Sequence, residues 1–198
     1  MRICLSGLGI LLFSFVGTAQ QTSISFDVLM KGKDIGDVIA TEQKTNTRSI
    51  KDIKTNCDNK VLMVSVHVES ELTTTHENGS LIKGTAYRHA NRGSSDVHAE
   101  TIRTAPKQYS IERNGTKTSI ANQEIQFCVA DLYFREPKGL SSIFSNMWGA
   151  NVTVAALGGG KYKITNPDGK SSTYTYQNGS LIQMEVDTPI GTVITKRK

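Results

Sequence analysis

Ile24-Ser25-Phe26-Asp27-Val28-Leu29-Met30 sets the class of this fold. Ile24, Phe26, Val28 and Met30 share one parity while Ser25 and Asp27 take the other, which is the period of a half-buried β-strand. Lys31-Gly32-Lys33-Asp34 then supplies a turn. The same alternation returns in Val64, Val66 and Val68 against Ser65, His67 and Glu69. It returns again in Ile182, Met184 and Val186 against Gln183, Glu185 and Asp187. Asn-Gly, whose two residues accept the positive φ of a type I′ hairpin turn, stands at 78–79, 114–115 and 178–179. Asn166-Pro167-Asp168-Gly169 and Gly158-Gly159-Gly160 mark further turns. The spacing predicts a mainly β protein of about eleven short antiparallel strands.

One segment carries a different period. In Asn122–Tyr133 the apolar residues Ile125, Cys128, Val129, Leu132 and Tyr133 fall at i, i+3, i+4, i+7 and i+8, one face of a helix. Asn122 is a suitable N-cap, Glu124 suits the first turn, and Pro137 stops continuation. A single amphipathic helix must cover a sheet. The expected architecture is therefore a curved antiparallel sheet or open half-barrel packed on one short α-helix.

The N-terminus reads as an export signal. Arg2 gives a positive start, Ile10–Val16 an apolar stretch, and Gly17-Thr18-Ala19 a small-residue cleavage site. The apolar stretch is far shorter than the ~20 residues that span a membrane. Residues 1–19 are thus expected to be a signal peptide and 20–198 a single β-rich domain, exported to the periplasm or secreted. The formal charge of +5 is dispersed, with Lys196-Arg197-Lys198 the only run. A nucleic-acid partner would need a denser stripe and is not expected. Once Cys4 leaves with the signal, Cys57 and Cys128 remain, either bridged or as two buried thiols.

Two pentapeptide patterns recur: Asn-Gly-Ser-Leu-Ile at 78–82 and 178–182, and Ile-Gly-x-Val-Ile at 35–39 and 190–194. Similar turns reuse similar chemistry, but the pattern also allows the first and last hairpins to be counterparts and neighbours in the sheet.

No reaction motif is present. There is no Gly-x-Ser-x-Gly and no His-Glu-x-x-His, and Gly160-Lys161 lacks both the first glycine and the hydroxyl of a phosphate loop. Two His-x-Glu steps, His67/Glu69 and His98/Glu100, each put an imidazole and a carboxylate on one strand face. On neighbouring strands these four could surround a zinc ion; otherwise they form a wet sheet face. Residues 132–149 concentrate the aromatics of an aromatic-poor chain. Tyr133, Phe134, Phe144, Met147 and Trp148, with Arg135 and Glu136, either plug one end of the sheet or line the mouth of an apolar pocket.

Ile24-x-Phe26-x-Val28, Gly32-Lys33-x-Ile35-Gly36 and Leu132-Tyr133-Phe134-Arg135-Glu136-Pro137 carry a resemblance that continues through Phe144-Ser145 and Pro167-Asp168-Gly169. It ends with Tyr174-x-Tyr176-x-Asn178-Gly179 and Gly191-x-Val193. With these motifs the chain resembles a family of exported Gram-negative proteins known only as a domain of unknown function. Leu-Tyr-Phe-x-Glu-Pro is the most specific stretch. The resemblance implies a curved antiparallel β fold and, more distantly, likeness to the half-barrels of periplasmic lipoprotein carriers, but no catalytic residues. The expected function is a non-enzymatic exported protein that binds an apolar or lipid-like ligand and needs no cofactor. The alternatives are an envelope assembly module acting on a protein partner, and a metal-dependent enzyme built on the two His-x-Glu pairs.

Overall fold

In a computed structural model, described for residues 19–61, 64–91, 96–189 and 191–198, the alternating segments form one antiparallel sheet of 14 strands. The strands are β1 (Gln20–Met30), β2 (Lys33–Lys44), β3 (Arg48–Val61), β4 (Val64–Glu77), β5 (Ser80–Ala90), β6 (Val97–Ala105) and β7 (Gln108–Arg113). They continue as β8 (Thr116–Ala121), β9 (Ser142–Ser145), β10 (Ala150–Gly158), β11 (Lys161–Thr165), β12 (Ser171–Gln177), β13 (Ser180–Thr188) and β14 (Gly191–Arg197). Their order in the sheet is 8-7-6-5-4-3-2-1-14-13-12-11-10-9. The expected signal sequence lies outside the described residues, apart from Ala19.

Mainly β is what the alternation dictates, and Phe26, Val28 and Met30 are indeed buried along β1. The strand number exceeds the expected eleven. One reason is that hairpins such as β6–β7 turn on Pro106-Lys107, with Lys107 at φ 59°, a turn without the Asn-Gly signature. Both pentapeptide patterns have structural meaning. β2 and β14 flank β1 on its two sides, so the first and last hairpins are neighbours; Ile190 itself lies outside the described residues.

The helix expected over Asn122–Tyr133 is not formed. Asn122 takes a positive φ of 61°, and the chain stays non-helical to Cys128. Only Val129–Tyr133 coils, as a short 3-10 helix. The backbone upstream is committed elsewhere: Ile125 C=O accepts from Leu81 N–H at 2.8 Å, and Phe127 C=O from Phe144 N–H at 2.9 Å. Ile125 N–H donates to the Tyr109 hydroxyl at 3.1 Å. Side chains with a 3.6-residue period were thus buried by an extended stretch followed by a tight turn.

Residues 122–149 cross the inner face and fill it. Tyr133 meets Phe26 edge-on at 5.7 Å, Phe144 joins a cluster with Leu81, Tyr109, Ile111 and Ile125, and Met147 packs near Ala86, Val97 and Ala99. A Cβ added at Gly84 would collide with the Asn146 amide, so only glycine lets the crossing chain lie this close to β5. The short helix also fixes the curvature. β4 and β12 are six steps apart in the sheet, roughly 29 Å if flat. Yet His76 on β4 faces Asp131 and Tyr176 on β12 bonds Leu132, adjacent residues of one helix. The sheet must wrap around it.

Candidate functional site

The crossing segment brings one charged residue into the core, and the sheet answers it. Asp131 lies in the run Cys128-Val129-Ala130-Asp131-Leu132-Tyr133-Phe134 and is 2 % exposed. Its Oδ2 accepts the Cys128 N–H at 2.7 Å, satisfying a donor at the start of the helix. Its Oδ1 stands 3.1 Å from Lys51 Nζ and 3.6 Å from the Arg135 guanidinium. Lys51 points inward from β3, directly across from Glu42 on β2, whose carboxylate it meets at 3.1 Å. The lysine also donates to Ser49 Oγ at 2.7 Å, and that hydroxyl donates to Glu42 at 2.9 Å. Buried charges are tolerated because each is paired and hydrogen-bonded.

His76 borders this network from β4. Its Nε2 stands 3.8 Å from both Asp131 Oδ2 and Cys128 Sγ, while its Nδ1 is buried with no hydrogen-bond partner among the described residues. Burial pushes the imidazole pKa down, against the pull of Asp131 and with the help of Lys51. Burial likewise pushes the Cys128 thiol well up. Thiol, imidazole and carboxylate lie together, but this is not a catalytic triad. A triad gives the base one ring nitrogen for the nucleophile and the other for the acid, whereas here both neighbours face Nε2. The thiol is also wholly buried and protonated, so it is no nucleophile. The three donors lie within 4.8 Å of one another. A dication there would have to share Asp131 with an ammonium and a guanidinium, so a metal does not fit this cluster.

A pocket of about 280 Å³ opens over the network, between the β2–β3 turn and residues 126–135. Its walls carry four cations, Lys44, Arg48, Lys51 and Arg135, against two carboxylates, Glu42 and Asp131. Arg135 lies over the Phe127 ring, 4.4 Å from its centroid.

Of the seven residues expected at an apolar mouth, Phe134 and Arg135 line this pocket. Tyr133, Phe144, Met147 and Trp148 fill the interior instead. Burial pushes the Tyr133 hydroxyl up to about 12, and Trp148 packs against the core under the Arg113 guanidinium, 5.2 Å away. Glu136 accepts the Tyr162 hydroxyl at 2.8 Å and pairs with Lys138 at 3.2 Å. Cys57 and Cys128 are separate buried thiols, not a disulfide, and burial pushes Cys57 up to about 11.

The four-residue zinc arrangement is not assembled. β5 lies between β4, which carries His67 and Glu69, and β6, which carries His98 and Glu100. His98 pairs with Tyr87, whereas His67 aligns with Asn91, four residues further on and just past the end of β5. The two imidazoles are thus roughly 16 Å apart by strand spacing, too far for one ion. Glu100 is engaged by Lys83 at 2.8 Å.

Residues 26–198 match the family described as Domain of unknown function (DUF6134). The chain belongs to this family. No curated protein and no solved structure matches it. The DUF6134 region begins at Phe26, the partner of Tyr133, and contains every residue of the Lys51–Asp131–His76 network. Among the described residues no helix is long and apolar enough to cross a membrane.

Lys51 and His76 were missed because they share inward parity with Ile53 and Leu72, where apolar residues are expected. Asp131 did leave a signal. A single carboxylate inside a seven-residue apolar run must be buried, and burial demands a cationic partner.

Proposed function

We propose that this DUF6134 domain is an exported, non-enzymatic binding protein whose ligand is a small acidic molecule, seated over Lys51 and Asp131. Export rests on the leader-like residues 1–19. The binding site rests on one observation, the excess of cations around the pocket. Lys51 and Arg135 balance Glu42 and Asp131, leaving Lys44 and Arg48 at the rim with no ion pair among the described residues. The volume suits a ligand of roughly nine waters' bulk, below the ~300–1,000 Å³ of drug-sized sites. The wrapped sheet favours the half-barrel reading, but the aromatics in its interior favour a polar ligand over a lipid. Calorimetric titration with succinate, citrate and inorganic phosphate tests this. Saturable binding of one of them, lost in Arg48→Glu, is expected; no saturable binding at millimolar concentration of any of the three would overturn it.

One observation favours a second reading, an assembly module. β9 is covered on its outer edge by the Cys128–Phe144 bridge, whereas β8 ends the sheet with no strand on its far edge among the described residues. Such an edge is a template for another strand. Placing proline at Ser119 on β8 would abolish capture of an envelope protein under this reading and leave small-ligand binding intact.

A further inference from the structure

The outer face carries a second cluster, away from the pocket. His67 and Glu69 are two residues apart on β4, and Glu69 is the cross-strand partner of His89 on β5. The two imidazoles meet edge to face, with centroids 5.8 Å apart. Each has a carboxylate at its Nδ1. Asp96 Oδ1 and Oδ2 lie 2.9 and 3.0 Å from His89 Nδ1, and Asp58 Oδ2 lies 4.0 Å from His67 Nδ1. Glu69 Oε1 stands 3.8 Å from His67 Nε2.

We propose that His67, His89 and Glu69 form a binding site for a divalent transition-metal ion, zinc in the first instance, with Asp96 orienting the His89 ring. Imidazole and carboxylate are the donors such an ion takes, and a zinc–nitrogen bond is about 2 Å. Two rings on one tetrahedral ion then have centroids roughly 5 Å apart, and a nitrogen and an oxygen on it are roughly 3.4 Å apart. On these two counts the cluster is wider by less than about 1 Å, but its three donor atoms do not all lie within 4.8 Å of one another, so the side chains must turn to close on an ion. Its His67, His89 and Glu69 side chains are 32 %, 44 % and 51 % exposed, which leaves them room to turn and close on an ion. The Asp96 contact completes the case. When Nδ1–H donates to Asp96, the tautomer is fixed with the Nε2 lone pair available, the arrangement found behind metal-bound histidines. That hydrogen bond also holds the Asp96 carboxyl below its usual range. A water would fill the fourth position. His98 stands outside the set, its ring tilted against Tyr87 at 5.1 Å.

Calorimetric titration of the chelator-treated protein with zinc chloride is the test, with Co²⁺ absorption reporting tetrahedral coordination. One ion per chain is expected. His67→Ala and His89→Ala should each weaken binding at least about tenfold, Asp96→Asn about tenfold with stoichiometry kept, and His98→Ala less than about twofold. Because the altered side chains are on the surface, thermal melting without metal should be unchanged, which separates loss of ligands from loss of fold. Absence of saturable zinc binding by the unaltered protein overturns the proposal. So does a His98→Ala effect as large as that of His89→Ala, since that pattern means diffuse attraction to an acidic face.

Discussion

Residues 73–82 on β4–β5 and 173–182 on β12–β13 are identical at seven of ten positions, and their backbones match. Asn78 and Asn178 take φ of 49° and 51°, Gly79 and Gly179 of 81° and 77°. In both hairpins the pairing skips the isoleucine, Ile82 or Ile182, so Leu81 and Leu181 both turn inward and are buried. The residues facing these leucines differ. Opposite Leu181 stands Tyr176, whose hydroxyl donates to Leu132 C=O at 2.7 Å. Opposite Leu81 stands His76 and near it Thr74, whose buried Nδ1 and hydroxyl have no hydrogen-bond partner among the described residues. Both hairpins grip the same short helix, one with every polar atom of its tyrosine contact satisfied and one without. Turn and bulge chemistry set the register, while two inward side chains decide which grip is scaffold and which borders a site. A polar group left unsatisfied in a core calls for an explanation, and the border of a site is one.

Removing Asp131 should break the comparison most severely. Asp131→Ala leaves Lys51 with Glu42 alone, takes the carboxylate from Arg135 and strips the Cys128 N–H of its acceptor. A loss of about 3–5 kcal/mol is expected in urea unfolding, the cost of removing one partner from a buried ion pair. Tyr176→Phe, on the satisfied side, should cost about 1–3 kcal/mol, because the Leu132 carbonyl is left buried without its donor. If the tyrosine variant proves the more damaging, the contrast between scaffold and site is inverted.

Much of this scaffold could be read from the chain. The alternation from Ile24 to Met30 is the buried face of β1, and three Asn-Gly pairs are three hairpin turns. Reading fails where the backbone departs from a strict period. In Ile182, Met184 and Val186 the alternation suggests one face, yet Ile182 is the bulge residue, so Leu181 and Met184 are the inward pair. Over Asn122–Tyr133 the helical period is real in the side chains, but Ile125, Phe127 and Val129 favour extended backbone, and edge bonds to Leu81 and Phe144 were there to reward it. The polar network is assembled by contacts between β2, β3, β4 and a segment about 55 to 90 residues downstream, so no local window could reveal it. Only Asp131 was out of character with its own neighbours.

The two hairpins should also differ in their response to acid. His76 has a folded pKa below its unfolded value, so above about pH 6.5 both states carry a neutral ring and the residue adds no pH dependence. As the pH falls below that, the unfolded chain takes up a proton that the folded ring refuses. Stability is then lost by at most about 1.4 kcal/mol per pH unit until the folded pKa is reached. Urea midpoints at several pH values should show this acid arm in the native protein and a flatter one in His76→Gln. Equal slopes for the two proteins would mean that the ring is solvated.

The smallest effect bears on what the hairpins share. Asn78 and Asn178 sit in the left-handed region, where a Cβ-bearing residue without a local hydrogen-bonding group is disfavoured. Asn78→Ala and Asn178→Ala should each cost about 1 kcal/mol, and the two costs should agree within about 0.5 kcal/mol, because the Asn78 bond to Thr47 C=O at 2.7 Å is made by a backbone N–H that alanine keeps. Asn114→Ala, at φ 48° in the bulge-free β7–β8 hairpin, should cost more than either, because its side chain also accepts the His98 N–H at 2.8 Å and donates to Asp96 C=O at 2.9 Å. If Asn78 proved much costlier than Asn178, turn and network would be coupled, and the β4–β5 turn would be part of the site's machinery. Equal costs keep the difference between the hairpins where the geometry puts it, in Thr74 and His76 against Tyr174 and Tyr176.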